Sequence, residues 1–124
     1  MQCIKTSKAP AAIGAYAQGV MVKDTLYISG QLPLNADTMC EPDTIEQQTK
    51  QALDNVLAVV EAAGLKKENI VRCGIFLKDM DQFKQMNEVY GTFFGNHTPA
   101  RAAVEVSRLP KDVNIEIDAI AVMP

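Results

Sequence analysis

Residues 19–23 and 25–29 are two short runs rich in Val, Ile and Tyr, with Lys23-Asp24 between them. β-Branched and aromatic residues around a short polar break predict a hairpin. Residues 30–37 follow, and Pro33 with its Asn and Asp neighbours reads as a loop. The clearest helix covers residues 44–63, where Ile45, Thr49, Ala52, Leu53, Val56, Val60 and Ala63 recur at helical spacing. Asp43 is placed to cap it, Glu46 to complete a capping box, and Gly64 to supply the left-handed stop. Residues 70–77 form a β-rich run that is apolar on both alternating faces apart from Arg72, the pattern of a central strand covered on both sides. A second helix is predicted over 80–94, with Phe83, Met86, Tyr90 and Phe93 as one stripe. Asp79 with Gln82 offers its capping pair and Gly95 its end. Two strands close the chain. In one, Ala102, Val104 and Val106 alternate with Arg101, Ala103 and Glu105; in the other, Val113, Ile115, Ile117 and Ala119 alternate with Asn114, Glu116 and Asp118.

The expected order is therefore ββαβαββ. Strand–helix–strand units imply right-handed crossovers and some parallel pairing. Two helices fit on one face of a mixed sheet of about five strands, giving an α/β (α+β) domain over residues 1–124. The sheet's other face then has no cover from its own chain. Strands that are apolar on both faces do not belong in open water, so a second copy of the chain is the expected cover.

Composition narrows the picture. The chain has 124 residues, 48% hydrophobic and 22% charged, enough for one core and no sign of disorder. The formal net charge is −3 and the Lys and Arg residues are scattered, which argues against a nucleic-acid partner. Three widely spaced cysteines, Cys3, Cys40 and Cys73, make no disulfide framework. A single histidine, His97, leaves few ligands for a zinc site, so no metal is expected. No apolar stretch approaches membrane-spanning length and no signal segment opens the chain, so the cytoplasm is the expected compartment and no membrane partner is expected.

Several residues are candidates for chemistry, each with a plainer reading beside it. Arg101 opens a strand after Thr98-Pro99-Ala100; it is either a fork for a carboxylate or a surface arginine in a loose ion pair. Glu116 is either a carboxylate of raised pKa among apolar neighbours or part of a solvated face with Asn114 and Asp118. Tyr16 lies in a segment of small residues and either reaches a ligand or simply packs. Ser29 and Gly30 end a strand, where Gly30 either lets backbone N–H groups approach a ligand or is a turn glycine. Asn87 edges the second helix's stripe as a buried polar contact or an exposed one. His97, in a polar loop, is expected in solvent, and the cysteines are expected to be inert, with Cys73 inside a strand. No Ser/His/Asp order, phosphate loop or dinucleotide fingerprint is present.

A set of segments resembles one family across the whole chain. These are Ala9-Pro10-Ala11-Ala12-Ile13-Gly14-Ala15-Tyr16, Tyr27-Ile28-Ser29-Gly30-Gln31-Leu32-Pro33, Asn87-Glu88-Val89-Tyr90, Pro99-Ala100-Arg101-Ala102-Ala103-Val104-Glu105-Val106, and Leu109-Pro110-Lys111-Asp112-Val113 leading to Ile115-Glu116-Ile117-Asp118. They are similar to the RidA family, also called YjgF. The resemblance implies a fold like trimeric chorismate mutase: a homotrimer, sheets inside, helices outside, and a cleft between each pair of neighbouring subunits. It implies hydrolysis of reactive enamines and imines (2-aminoacrylate, 2-iminobutanoate, 2-iminopropanoate) to 2-oxo acids and ammonia, without cofactor or metal. On this resemblance Arg101 binds the substrate carboxylate and Glu116 positions or activates water. Tyr16, Ser29, Gly30 and Asn87 shape or line the cleft, and Ala103 stands where the deaminase branch usually has cysteine. Ala103 keeps the backbone N–H and removes a thiol, which sets thiol-based chemistry in doubt. Ala15 and Ala17 likewise replace a common proline and serine near Tyr16. Rival expectations are a non-catalytic trimer that binds or senses small carboxylates, a chaperone-like interaction protein, and the ribonuclease action proposed for some relatives. The acidic balance and the lone histidine argue against the last.

Overall fold

Six strands form one mixed sheet in a computed structural model that describes residues 1–124. The strands are β1 (Gln2–Ile4), β2 (Gly19–Val22), β3 (Thr25–Gln31), β4 (Ile70–Leu77), β5 (Ala100–Glu105) and β6 (Ile115–Val122). Their order across the sheet is β1-β2-β3-β6-β4-β5; β4 and β5 run parallel and every other pair antiparallel. The expected hairpin is β2–β3, whose tight turn places Lys23 at a φ of 53°. Positive φ at such a position is what a two-residue hairpin loop requires. The sequence pattern missed β1, so the order is βββαβαββ and the sheet has six strands. A three-residue edge strand, QCI, has too few positions to show a period.

Helix α1 (Ile45–Ala62) begins one residue later than the Asp43 reading implied. Thr44 is the cap: its hydroxyl accepts from Gln47 N at 3.1 Å, and the Gln47 side chain returns to Thr44 N. Both Asp43/Glu46 and Thr44/Gln47 have the spacing of a capping box. The second register is the one formed, and Ile45, the first helical residue, is buried. At the other end Gly64 (φ 83°) donates to Glu61 O and Leu65 to Val60 O, the paired bonds of a Schellman stop.

Helix α2 (Phe83–Phe94) is preceded by a single 3₁₀ turn at Met80–Gln82. Asp79 does cap that turn, accepting from Asp81 N. Gln82 does not return the bond, and its side-chain oxygen is buried without a partner. Gly95 ends α2 with φ 62°.

Both helices pack on one face of the sheet. Leu26, Ile28, Cys73, Ile75, Leu77, Ile115, Ile117, Ala119 and Ala121 meet Leu53, Val56, Val60, Met86, Tyr90 and Phe94 in one core. Side chains alternate along a strand, so Tyr27, Val104, Val122, Glu116 and Asp118 project from the opposite face. There Tyr27 is 51% exposed, Val104 45% and Val122 36%, an open apolar surface. No helix is long and apolar enough to cross a membrane.

Candidate active site

Glu116 sits mid-strand on β6, on the open face. The pairing of β3 with β6 shifts register between Ile28 and Gln31, so Ser29 and Gly30 bulge beside it. Gly30 is required here by space: a Cβ at this position would overlap the Glu116 carboxylate. The bare backbone therefore lets the carboxyl group lie flat on the strand. Burial pushes the Glu116 carboxyl above the ordinary carboxylate range, and the Asp118 charge two residues along adds to the shift. A carboxylate moved in this direction is a better general base.

Hydrogen bonds hold the walls around it. Ser29 Oγ donates to Ala17 O at 2.6 Å, and Ser29 N to Gln18 O at 3.0 Å. Gln18 itself is buried; its amide donates to Pro10 O and Thr6 O and accepts from Thr6 N at 2.7 Å. These bonds brace the loop that carries Tyr16. Asn55 on α1 donates to Leu32 O and Leu34 O and so fixes the loop after β3. The result is a cleft of about 540 Å³ in which Tyr16, Ser29, Gly30 and Glu116 meet apolar side chains such as Leu32 and Met39. Lys111 stands on the same wall, with φ 56°, and the following Asp112 also has positive φ, at 57°. Non-glycine residues with such backbone are uncommon and cluster near functional sites.

Arg101 lies elsewhere. It is on edge strand β5 and faces α2, on the helix side of the sheet. Its Nη1 donates to Asn87 Oδ1 at 2.7 Å. The guanidinium carbon stands 4.8 Å from the Tyr90 ring centre and 5.5 Å from that of Phe83. Ala103, two residues along the same face, is half-buried against the core. On β4, Arg101 pairs at Cys73 and Glu116 at Phe76. Three residues of rise and two strand spacings put their Cα atoms about 14 Å apart. Their side chains point to opposite faces. Within one chain, then, the seven residues named from the sequence form two groups: Tyr16, Ser29, Gly30 and Glu116 in one, Asn87, Arg101 and Ala103 in the other.

Two other readings meet the structure differently. His97 is half-buried rather than free in solvent: its Nε2 donates to Ile70 O at 2.6 Å, and the ring stands edge-on to Phe94. A loop that looks polar in sequence still folds back on the start of β4. Cys73 is buried, and burial pushes its thiol up to about 11 against an opposing pull from Tyr90, which keeps it protonated and inert. No group of three or more His, Cys, Asp or Glu side chains converges as a metal site would need. Sequence reasoning gave no role at the site to Gln18, Asn55 or Lys111. A lone amide or lysine carries no period, and only its buried partners or its backbone reveal it.

The family model described as Endoribonuclease L-PSP matches residues 6–123. The chain is 52% identical to a protein of Escherichia coli named 2-iminobutanoate/2-iminopropanoate deaminase, over 96% of this chain and 95% of that one. The chain belongs to the RidA (YjgF) family. A RutC family protein of Pyrococcus horikoshii is 48% identical over 97% of this chain and 96% of its own. Among RidA-family structures, that of the E. coli YjgF gene product superposes with a TM-score of 0.97 at 50% identity, covering both chains fully. The structure of E. coli TdcF with bound serine superposes with the same score at 42% identity, again over both full chains. The two-layer RidA fold is therefore the fold of this chain.

Proposed function

We propose that this protein is an imine deaminase, hydrolysing small carboxylate-bearing imines and enamines such as 2-iminobutanoate and 2-iminopropanoate to 2-oxo acids and ammonia. The observation that carries the reading is 52% identity, over nearly the whole chain, to a protein of that name. The reaction needs a carboxylate anchor and a base. Arg101 offers a planar fork that matches a carboxylate, and the carboxylate anchors the C=N carbon for attack. Glu116 takes a proton from water as the water oxygen bonds to that carbon. The imine nitrogen, protonated beforehand, becomes the amine of a carbinolamine, and Glu116 hands it the proton taken from water. The C–N bond then breaks as the hydroxyl oxygen forms C=O and gives its own proton back to Glu116. Glu116 passes that proton to the departing ammonia, leaving the 2-oxo acid, ammonium and a free carboxylate. General-base help of this kind is worth about 10²–10⁴-fold. Tyr16, Ser29 and Gly30 shape the Glu116 side of the cleft, Asn87 and Ala103 the Arg101 side. No step calls for a metal or cofactor.

One small substrate does not span about 14 Å and a sheet. The reading therefore includes a homotrimer in which the Arg101 side of one subunit faces the Glu116 side of its neighbour. The exposed Tyr27, Val104 and Val122 support burial of the open sheet face in that assembly. It also places the protein in the cytoplasm, with neither nucleic acid nor membrane as partner.

The test uses threonine dehydratase to generate 2-iminobutanoate in the presence of semicarbazide, which traps it. Wild-type protein is expected to suppress trapping, while Arg101→Ala and Glu116→Gln, at the wild-type mass, do not. Absence of suppression by wild type across several amino-acid-derived imines sinks the catalytic reading. A plain carboxylate-binding role then takes its place, a reading favoured by the TdcF relative with bound serine. In that case Glu116→Gln leaves 2-oxo acid affinity unchanged.

A further inference from the structure

Arg101 is an exposed residue on an edge strand, and no carboxylate forms a salt bridge with it. Such a side chain ordinarily moves among many rotamers, and immobilising it costs conformational entropy. Here it is held. Phe83, Asn87 and Tyr90 follow one another at i, i+4 and i+7 on α2, a spacing that puts them on one helical face. Asn87 Oδ1 takes one Nη1 proton at 2.7 Å, and the two aromatic rings stand at 4.8 and 5.5 Å from the guanidinium carbon. The Tyr90 ring is itself immobile, being only 7% exposed and packed at 4.8 Å against Phe94.

We propose that Phe83, Asn87 and Tyr90 form a neutral clasp that preorganises Arg101 for a carboxylate ligand, with Tyr90 the main positioning residue and Asn87 acting through Arg101. The proposal rests on the imine-deaminase reading only for the identity of that ligand. The physical point is the choice of holding groups. An Asp or Glu would hold the guanidinium more strongly, but it would also neutralise the charge that draws the substrate and compete for the same N–H groups. An amide oxygen and aromatic faces fix the orientation and leave the full positive charge in place. One Nη1 proton is used, and the remaining N–H groups stay free for the ligand. The Tyr90 hydroxyl is no part of the clasp. It is buried, close enough to Cys73 to influence the thiol, and makes no hydrogen bond of ordinary geometry.

The experiment reads Arg101 directly and reads function separately. In ¹⁵N-edited spectra of the free protein, the Arg101 Nη1–H resonances are expected to be resolved from those of Nη2 and slowly exchanging, and to collapse into one averaged guanidinium signal in Asn87→Ala and Tyr90→Leu. In the semicarbazide-trap assay Tyr90→Leu is expected to raise KM about fivefold with kcat within about twofold, the size of a lost cation–π contact. Tyr90→Phe, which keeps the ring, restores wild-type KM. Asn87→Asp raises KM more than Asn87→Ala, roughly tenfold, because its charge competes with the substrate. Asn87 is exposed, so its variants fold even if Tyr90→Leu does not. A freely averaging Arg101 signal in an active wild-type enzyme, or wild-type KM in folded Tyr90→Leu and Asn87→Ala, overturns the clasp. A protected Arg101 signal, lost in Asn87→Ala, in a protein that hydrolyses no imine would leave the clasp standing and remove the deaminase reading instead.

Discussion

Arg101 and Glu116 lie two strands apart on opposite faces of the same sheet, and their surroundings differ in kind. The arginine rests at a rim, against two aromatic rings and one amide, with its charge intact. The carboxylate rests on bare backbone at a strand bulge, half-buried, with a like charge two residues away. A binding group needs orientation and full charge, and neutral neighbours supply both. A base needs a raised pKa, which burial and a second carboxylate supply. The surroundings of Arg101 thus suit the proposed holding role, and those of Glu116 the proposed base.

The strongest way to break this comparison is to separate the two sides genetically. Arg101→Ala and Glu116→Gln are each expected to lose at least about 100-fold in imine hydrolysis. When the two inactive proteins are unfolded, mixed in equal amounts and refolded, about a quarter of the clefts of the proposed trimer should carry both intact groups, because in that assembly each cleft draws them from different subunits. Activity that stays absent in mixed trimers would put both residues to work within one chain, against the geometry. Next in size is Gly30→Ala. Its methyl group displaces the Glu116 carboxylate, so kcat should fall tens of fold, while 2-oxobutanoate titration shows affinity close to wild type.

Dependence on pH sharpens the contrast further. In its proposed role Glu116 works as a base only when ionised, so kcat should fall on acidification at a higher pH than an ordinary carboxylate would give. Affinity for a 2-oxo acid, assigned to Arg101 in the proposed function, should stay flat over that range. Stability runs the other way. The folded state holds the Glu116 proton more tightly than the unfolded chain does, so stability is lost as pH rises through the raised pKa. Glu116→Gln should therefore melt higher than wild type at neutral pH, and the two should converge below about pH 4, where the unfolded carboxyl is protonated too. A lower Tm for Glu116→Gln at pH 8 would contradict the raised pKa assigned to Glu116. The smallest effect expected is on the clasp helix. A Cβ at Gly91 meets nothing within 4 Å, so Gly91→Ala should add about 0.5–1 kcal/mol in denaturant melts and leave KM unchanged.

Much of the fold was legible in the chain. The stripe from Ile45 to Val60, the Gly64 stop and the β2–β3 hairpin follow from local pattern, though β3 runs on through Gly30 and Gln31, which that pattern gave to the loop. Errors came where two local solutions had the same spacing, as at Asp43 and Thr44, or where an element was too short to show a period, as at β1. The candidate site was legible as residue types but not as an arrangement. On β6 the apolar set Ile115, Ile117 and Ala119 does face the helices. On β5 apolar Ala102 and Val104 lie on the open face, while polar Arg101 faces α2.

Periodicity alone decides which residues share a face, because a strand alternates whatever surrounds it. It does not decide which face the helices cover when both are apolar, since burial under α1 and α2 and exposure for a neighbouring copy leave the same trace in the alphabet. Only packing resolved that choice. With it came the separation of Arg101 from Glu116, the seating of Glu116 on Gly30 and the cradle of α2 side chains around Arg101, all made by residues distant in the chain and close in space.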